Sequence, residues 1–325
     1  MQKPREINIS LVVPVCNEAT NLPECHYQLE KVLKEIGKNY EIIFINDGST
    51  DKSLEIIKTL SEKDSAVKYI DLSRNFGQQM AISAGLEYAR GQRVAIMDAD
   101  LQDPPEVLIE MYNKLDTGYD VVYGKRKRRK GESILKRLTA KMFYRLLARM
   151  TNVKIPVDTG DFRMMTRQVV NELNKMPERD RFIRGQVAWV GFRQTEIIYE
   201  RAGRQKGHSG YSYKKMIRFA LDGLTSFSDF PLRFATWLGF FFSIISFAMI
   251  IWALYQRLIA DSYVQGWTSL IISVLFLGGI QLITIGIIGE YISRIGSNVR
   301  RRPKYVVKDK NVDKPQKDEL TNEKK

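Results

Sequence analysis

Asp98 and Asp100 stand two residues apart, directly behind the apolar run RVAIM, in the stretch MDADLQDPPE. Two carboxylates at that spacing suit a hard divalent cation that also holds phosphate oxygens. Gln102 and Asp103 follow in the same turn. Two more polar clusters close earlier apolar runs. VVPVCNE supplies Pro14, Asn17 and Glu18, and INDGSTD supplies Asp47, Gly48, Ser49 and Asp51. Each cluster alone has a duller reading. Asn17 or Asp51 can cap a helix, and DGS is a common turn. A basic run, KRKRRK at 125–130, is followed by Lys136, Arg137 and Lys141. A solvated basic loop attracted to anionic lipid would look the same, but arginine's planar fork also suits phosphate.

These clusters need a frame that brings them together. Strand-like runs at 9–15, 41–46, 67–72, 93–97 and 120–123 alternate with helical patterns at 21–36, 51–63, 78–89, 105–115 and 133–150. Such alternation implies an α/β domain: a Rossmann-like, mostly parallel sheet with helices on both faces. Sheets of this kind bind ligands beyond the carboxyl ends of their strands. The three polar clusters lie at three of those ends and should converge on one cleft. The chain contains no G-x-G-x-x-G and no P-loop, so neither a dinucleotide oxidoreductase nor a P-loop ATPase is supported. His26 and His208, and the two cysteines, form no metal-like cluster.

Composition separates two regions. Net charge is +14, from 51 Lys+Arg against 37 Asp+Glu, which predicts acidic partners: nucleic acid, anionic lipid or phosphorylated substrate, among which charge alone does not choose. Two cysteines in 325 residues exclude a disulfide scaffold and fit a reducing compartment. Residues 234–255 and 267–289 carry no charge, and each would span roughly 33 Å as a helix, enough to cross a bilayer. Trp237, Trp252, Tyr255, Trp267 and Tyr291 fall near their ends, as interfacial aromatics do. Lys214, Lys215, Arg218 and Arg233 precede the first run; Arg294, Arg300, Arg301, Arg302 and Lys304 follow the second. The link at 256–266 has only Arg257, balanced by Asp261. The positive-inside rule then puts both termini and the first domain in the cytoplasm, on a multi-pass anchor in the cell membrane. The N-terminus has no apolar signal region. The expected organisation is a soluble domain at 1–212, an amphipathic juxtamembrane helix at 213–233, two membrane helices within 234–291, and a basic cytoplasmic tail at 292–325, disordered from 308 onward.

VVPVCNE, INDGSTD and MDADLQDPPE, in that order, resemble family-2 glycosyltransferases of the GT-A fold. SRNFGQ at 73–78, DTGDFR at 158–163, ALDGLTSFS at 220–228 and GEYISRI at 289–295 are similar to the polyprenyl-phosphate branch, which includes bactoprenol glucosyltransferases and dolichyl-phosphate mannose synthases. The resemblance runs from about residue 8 to residue 307. It implies inverting transfer of a sugar from a nucleotide-diphosphate sugar to a membrane polyprenyl phosphate (undecaprenyl phosphate), dependent on Mg²⁺ or Mn²⁺, for cell-envelope glycan modification. It assigns Pro14, Asn17, Glu18, Asp47, Ser49, Asp98, Gln102 and Arg204 to the nucleotide sugar, with Asp98 and Asp100 on the metal. Asp161 matches the catalytic carboxylate, with Asp100 beside it. Arg126, with Arg137 and Lys141, would hold the acceptor phosphate. The loop containing Arg201 and Arg204 departs from the family's G-x-S-K-Y, because Gly210 stands where the lysine is expected.

UDP-glucose is the first reading for the donor, with UDP-GlcNAc, GDP-mannose or a modified sugar as alternatives. A processive polysaccharide synthase would carry Q-x-x-R-W, whereas residues 186–190 read QVAWV. A non-catalytic membrane protein binding nucleotide or anionic lipid would explain KRKRRK but not the Asp98/Asp100 pair. Nucleic acid is not an expected partner, and a homo-oligomer is left open.

Overall fold

The structure is a computed structural model that describes residues 6–127, 159–179, 181–200, 230–258, 266–300 and 302–315. The expected helix at 133–150 and most of the juxtamembrane segment at 213–233 lie outside the described residues. The chain divides into two compact units, one holding the sheet together with Pro303–Lys325, the other holding the long helices.

Among the described residues the first unit is built on eight strands: β1 Ile9–Val15, β2 Tyr40–Asn46, β3 Val67–Leu72, β4 Arg93–Ile96, β5 Val121–Arg126, β6 Thr159–Thr166, β7 Gln194–Tyr199 and β8 Val307–Lys310. Their order in the sheet is β7-β5-β6-β4-β1-β2-β3-β8. β3, β2, β1 and β4 run parallel, as does the β5–β7 pair. β6 is antiparallel to both β4 and β5, and β8 is antiparallel to β3. The expected mostly parallel sheet is therefore present, completed by two antiparallel insertions.

Among the described residues, six helices flank the sheet: α1 Leu22–Ile36, α2 Ser53–Lys63, α3 Gln78–Tyr88, α4 Val107–Asp116, α5 Arg167–Lys175 and α6 Ile183–Trp189. The two-residue strand period sorts the core into two layers. Leu11, Val13, Ile42 and Phe44 pack with Leu29 of α1, Ile57 of α2 and Met111 of α4. Val12, Ile43 and Ile45 pack with Ile82 of α3, Val169 of α5 and Val187 of α6. Strands buried on both faces must be apolar throughout, which is why β1 and β2 stand out in the sequence. α1 starts with a proline in its first turn and stops at Gly37, whose φ of 70° ends it in the left-handed region.

The tail corrects the expectation. Residues 308–314 are not disordered: β8, Val307–Lys310, runs into them, and Val312 is buried. The charge-rich sequence hides an edge strand, whose alternate residues Val307 and Asp309 are half-buried while Lys308 and Lys310 are exposed. Lysines are common on edge strands, where they discourage further pairing.

The second unit contains α7 Phe230–Leu258 and α8 Trp267–Val299, of 29 and 33 residues. Phe242 of α7 meets Phe276 of α8 edge-on, with ring centroids 5.0 Å apart. Phe240, Ile244 and Phe247 on α7, and Leu282 and Ile285 on α8, are exposed. Among the described residues, one stretch, Phe276–Ser293, is long and apolar enough to cross a membrane by length and composition.

Candidate active site

The strand directions bring the chemistry to one edge. β1, β2, β3 and β4 all end there, and so do β5 and β7, which run parallel to β4 through the antiparallel β6. β6 starts at the same edge. Ile96 pairs with Arg163, so Asp161, two residues earlier on β6, comes level with Asp98 beyond the end of β4. The DTGDFR motif is thus delivered to the D-x-D motif by register.

The loops after β1 and β2 are sewn together. The Asn17 backbone N–H donates to Ser49 Oγ at 3.0 Å, and Asn17 Oδ1 accepts from the Thr50 N–H at 2.8 Å. Asn17 has φ 57°, a conformation asparagine tolerates better than most residues. The Glu18 N–H donates to Ser53 Oγ, and the Ala19 N–H to Asp51 Oδ2. Asp51 also accepts from the Ser53 N–H at the start of α2, but the N-cap position is Lys52, so Asp51 ties the loop to the helix start and is not its cap. Asp47 is buried and reaches the loop after β3. Its Oδ1 accepts the Phe76 N–H at 2.7 Å and its Oδ2 the Gly77 N–H at 2.9 Å. Burial raises the Asp47 carboxyl against the lowering effect of those two N–H groups. Gly48 has φ 64°, and a Cβ there would stand 2.4 Å from the backbone nitrogen of Asn75, so the two loops touch only because the residue is glycine.

Two consecutive residues of α3 hold the two central carboxylates. Gln78 Nε2 donates to Asp98 Oδ1 at 2.7 Å, and Gln79 Nε2 donates to Asp161 Oδ2 at 3.0 Å. Gln79 also accepts the Ile183 N–H at 3.0 Å, tying the start of α6 to the site. Arg184 grips Asp161 with two nitrogens, Nε to Oδ1 at 2.8 Å and Nη2 to Oδ2 at 3.3 Å. Burial alone would raise the Asp161 carboxyl. The Arg184 charge and hydrogen bond, with Arg163 and Gln79, more than offset it and hold the carboxyl below the usual range. Arg163 is buried beneath, bonded to the carbonyls of Asp161 and Gly160, and burial pushes its guanidinium down to about 10.

Asp98 and Asp100 are both partly exposed, and Asp100 Oδ1 accepts the N–H of the buried Gln102 at 3.2 Å. Leu101 between them has φ 52°, which turns the loop tightly. Two exposed hard-oxygen donors suit Mg²⁺ or Mn²⁺. Among the described residues no group of three or more His, Cys, Asp or Glu could hold a metal, so ligand and water oxygens would have to complete the shell.

The basic run is split by strand alternation. Lys125 bonds Glu196 at 2.9 Å and Lys127 bonds Glu200 at 2.6 Å, both on one side of β5. Arg126 points the other way, 3.7 Å from Asp103 and 3.5 Å from the Tyr199 hydroxyl, which donates to Asp103. A Cβ at Gly160 would stand 2.8 Å from Arg126 Nη2, so Arg126 reaches the Asp161 neighbourhood over a glycine. Pro14 sits on β1 at the same edge. Residues 128–158 and 201–210, with Arg137, Lys141 and Arg204, lie outside the described residues.

The structure therefore brings together Pro14, Asn17, Glu18, Asp47, Ser49, Asp98, Asp100, Gln102, Arg126 and Asp161 at one edge. It adds Gln79 and Arg184, which no sequence motif marked as site residues. A second glutamine straight after SRNFGQ was the only signal for Gln79. Arg184 lies on a helix with nothing distinctive around it.

Residues 10–173 match the model of glycosyl transferase family 2, and residues 230–295 match that of the GtrB C-terminal hairpin. The glycosyltransferase YkcC of Bacillus subtilis is 48% identical over 303 residues, covering 93% of this chain and 94% of that protein. A bactoprenol glucosyl transferase derived from prophage SfII in Shigella flexneri is 44% identical, covering 93% and 98%. A solved mannosyltransferase from Pyrobaculum calidifontis, in complex with GDP-Man and Mn²⁺, is 16% identical with a TM-score of 0.46, covering 93% and 92%.

Proposed function

The chain belongs to glycosyl transferase family 2, and from that premise we propose that it moves a sugar from a nucleotide-diphosphate sugar to a polyprenyl phosphate in a membrane, inverting the anomeric carbon. One observation carries the reading. Consecutive residues of α3 hold Asp98 and Asp161 side by side, while Arg126 lies over Gly160 at the same edge. Asp98, which with Asp100 would hold a metal–diphosphate, thus adjoins Asp161 and a cation for a second phosphate.

In this reading the nucleoside lies along the ends of β1 and β2, near Pro14, Asn17, Glu18 and Ser49. Asp47 shapes that floor by holding the loop after β3 through two backbone N–H groups. Asp98 and Asp100 would hold Mg²⁺ or Mn²⁺, whose charge, when bound, offsets the charge developing on the leaving diphosphate. Arg126 receives the acceptor phosphate, with Arg137 and Lys141, and Arg204 is assigned to the nucleotide sugar. The acceptor is a phosphate monoester with a second pKa near about 6, so at pH 7 it is already mostly an anionic nucleophile. A general base works best with a pKa near the operating pH. The depressed Asp161 carboxyl fits that role poorly. Asp161 instead orients the reacting groups as a fixed negative charge. A single in-line displacement at the anomeric carbon gives the inversion.

The outward-facing apolar side chains of α7 and α8 suit lipid, and the charges flanking them support a reading in which transfer occurs at the cytoplasmic leaflet of the cell membrane, serving cell-envelope glycan modification. Glucose is the first choice of sugar, on the strength of the bactoprenol glucosyl transferase relatives; UDP-GlcNAc, GDP-mannose and modified sugars are the alternatives. Mass spectrometry of lipid product, after incubation with a panel of nucleotide sugars and undecaprenyl phosphate, tests the proposal. A hexosyl polyprenyl phosphate supports it. Nucleotide binding with no lipid product from any donor would favour a non-catalytic binding protein.

A further inference from the structure

Residues 303–314, PKYVVKDKNVDK, lie beyond both matched family regions, and only residues 300–302 separate them from α8 in the chain. This segment is fastened along its whole length. Lys304 Nζ donates to the Met176 carbonyl at 2.9 Å, and the Val306 carbonyl accepts the Ser73 N–H at 2.9 Å. β8 then pairs with β3. Lys58 Nζ and the Tyr69 hydroxyl both donate to Asp309 Oδ2, at 2.6 and 3.1 Å. The Tyr69 N–H donates to Asn311 Oδ1 at 2.6 Å. Val312 is buried at 4% exposure in the apolar layer that contains Ala81 and Ile82 of α3. Two residues of the segment meet on one carboxylate of α3: Glu87 Oε2 accepts from the Tyr305 hydroxyl at 2.8 Å and from Lys314 Nζ at 2.6 Å.

What the segment grips gives it a role. Between Ser73 and Glu87 lie residues 76–79, and these four residues hold three site carboxylates. The Phe76 and Gly77 N–H groups hold Asp47, Gln78 holds Asp98 and Gln79 holds Asp161. The fastening brackets them, with Ser73 before and Glu87 after. An edge strand needs only charge to stay unpaired. Covering an edge does not require a buried valine and two bonds onto a helix behind the sheet.

We propose that residues 303–314 are a positioning strap for the donor site, fixing Ser73 and α3 so that residues 76–79 hold Asp47, Asp98 and Asp161 in place. The nature of the ligand rests on the glycosyl-transfer reading; the strapping itself does not.

The test uses full-length protein in detergent. Val312→Asp puts a charge in the buried position and undocks the strap, and Val312→Ile is the conservative control. Two readouts are taken: amide hydrogen exchange across residues 73–88, and affinity for UDP with Mn²⁺ by calorimetry. Val312→Asp should speed exchange at residues 73–79 by at least about tenfold while β1 and β2 stay protected. UDP affinity should fall by about tenfold. Val312→Ile should change neither. Adding a synthetic peptide of residues 303–314 should restore both, and the same peptide carrying Val312→Asp should restore neither. If Val312→Asp also exposes β1 and β2, the double variant Tyr305→Phe/Lys314→Ala, which leaves the apolar layer intact, is read in the same way. An undocked strap with unchanged exchange at residues 73–79 would overturn the proposal, as would unchanged UDP affinity in a wild type that binds UDP. A wild type that fails to bind UDP counts against the glycosyl-transfer reading, and exchange alone then decides the strap.

Discussion

Arg184→Ala removes the counter-charge of a carboxylate that has no water to turn to. The Asp161 side chain is 3% exposed, and it would lose the 2.8 and 3.3 Å bonds from Arg184. Gln79 remains at 3.0 Å, and Arg163 stays near, although it bonds carbonyls and not the carboxylate. Breaking a buried ion pair from one side costs about 3–5 kcal/mol, and the neighbouring Arg163 puts the expected loss at the lower end, about 3 kcal/mol. The cost should depend on pH. In the wild type the depressed carboxyl contributes stability that is present above about pH 4 and lost as pH falls through its own lower pKa. In the variant burial dominates and the sign reverses. The raised carboxyl costs nothing below about pH 4, and the cost then grows by up to about 1.4 kcal/mol per pH unit until the variant's own pKa is passed. Unfolding midpoints in detergent, from pH 4.5 to 8, measure this. Arg184→Lys keeps the charge without the planar fork and should fall between the wild type and Arg184→Ala. A deficit that is the same at pH 4.5 and pH 8, or smaller than about 1 kcal/mol throughout, would refute the reasoning.

On the proposed reading, Arg126→Ala removes a charge-assisted contact to the acceptor phosphate. Steady-state kinetics should show the acceptor KM rising by about 10- to 100-fold, with UDP affinity unchanged; an equal loss of UDP affinity would put the arginine on the donor side. Asp161→Ala should slow single-turnover transfer by about 10³- to 10⁴-fold. Asp161→Asn should cost about tenfold less than that, because an amide keeps the shape and part of the bonding. Equal losses would return Asp161 to a proton-accepting role.

The central strands were legible because burial on both faces demands continuous apolar residues. β1 and β3 begin and end where the hydrophobic runs do. β6 was not legible as a strand. TGDFRMMT carries Asp161 and Arg163 into the interior, and their partners there, Arg184 and Gln79 for Asp161 and the Gly160 and Asp161 carbonyls for Arg163, make that tolerable. β8 hid for a related reason, since an edge strand can be written almost entirely in charged residues. The D-x-D pair and its convergence with the other loops followed from parallel topology. What held them did not: Gln78, Gln79 and Arg184 act through side chains from elements far apart in sequence. In KRKRRK, composition gave the charge. Strand period, visible only once β5 was placed, separated Arg126 from the paired Lys125 and Lys127.

The central claim is that this sheet edge transfers a sugar through Asp98 and Asp100. The most direct test is transfer of radiolabel from UDP-glucose to undecaprenyl phosphate in proteoliposomes containing Mn²⁺, comparing the wild type with Asp98→Ala/Asp100→Ala. The account predicts label in the lipid phase for the wild type and none above background for the variant, with both proteins folded. Equal labelling by the two proteins would contradict it.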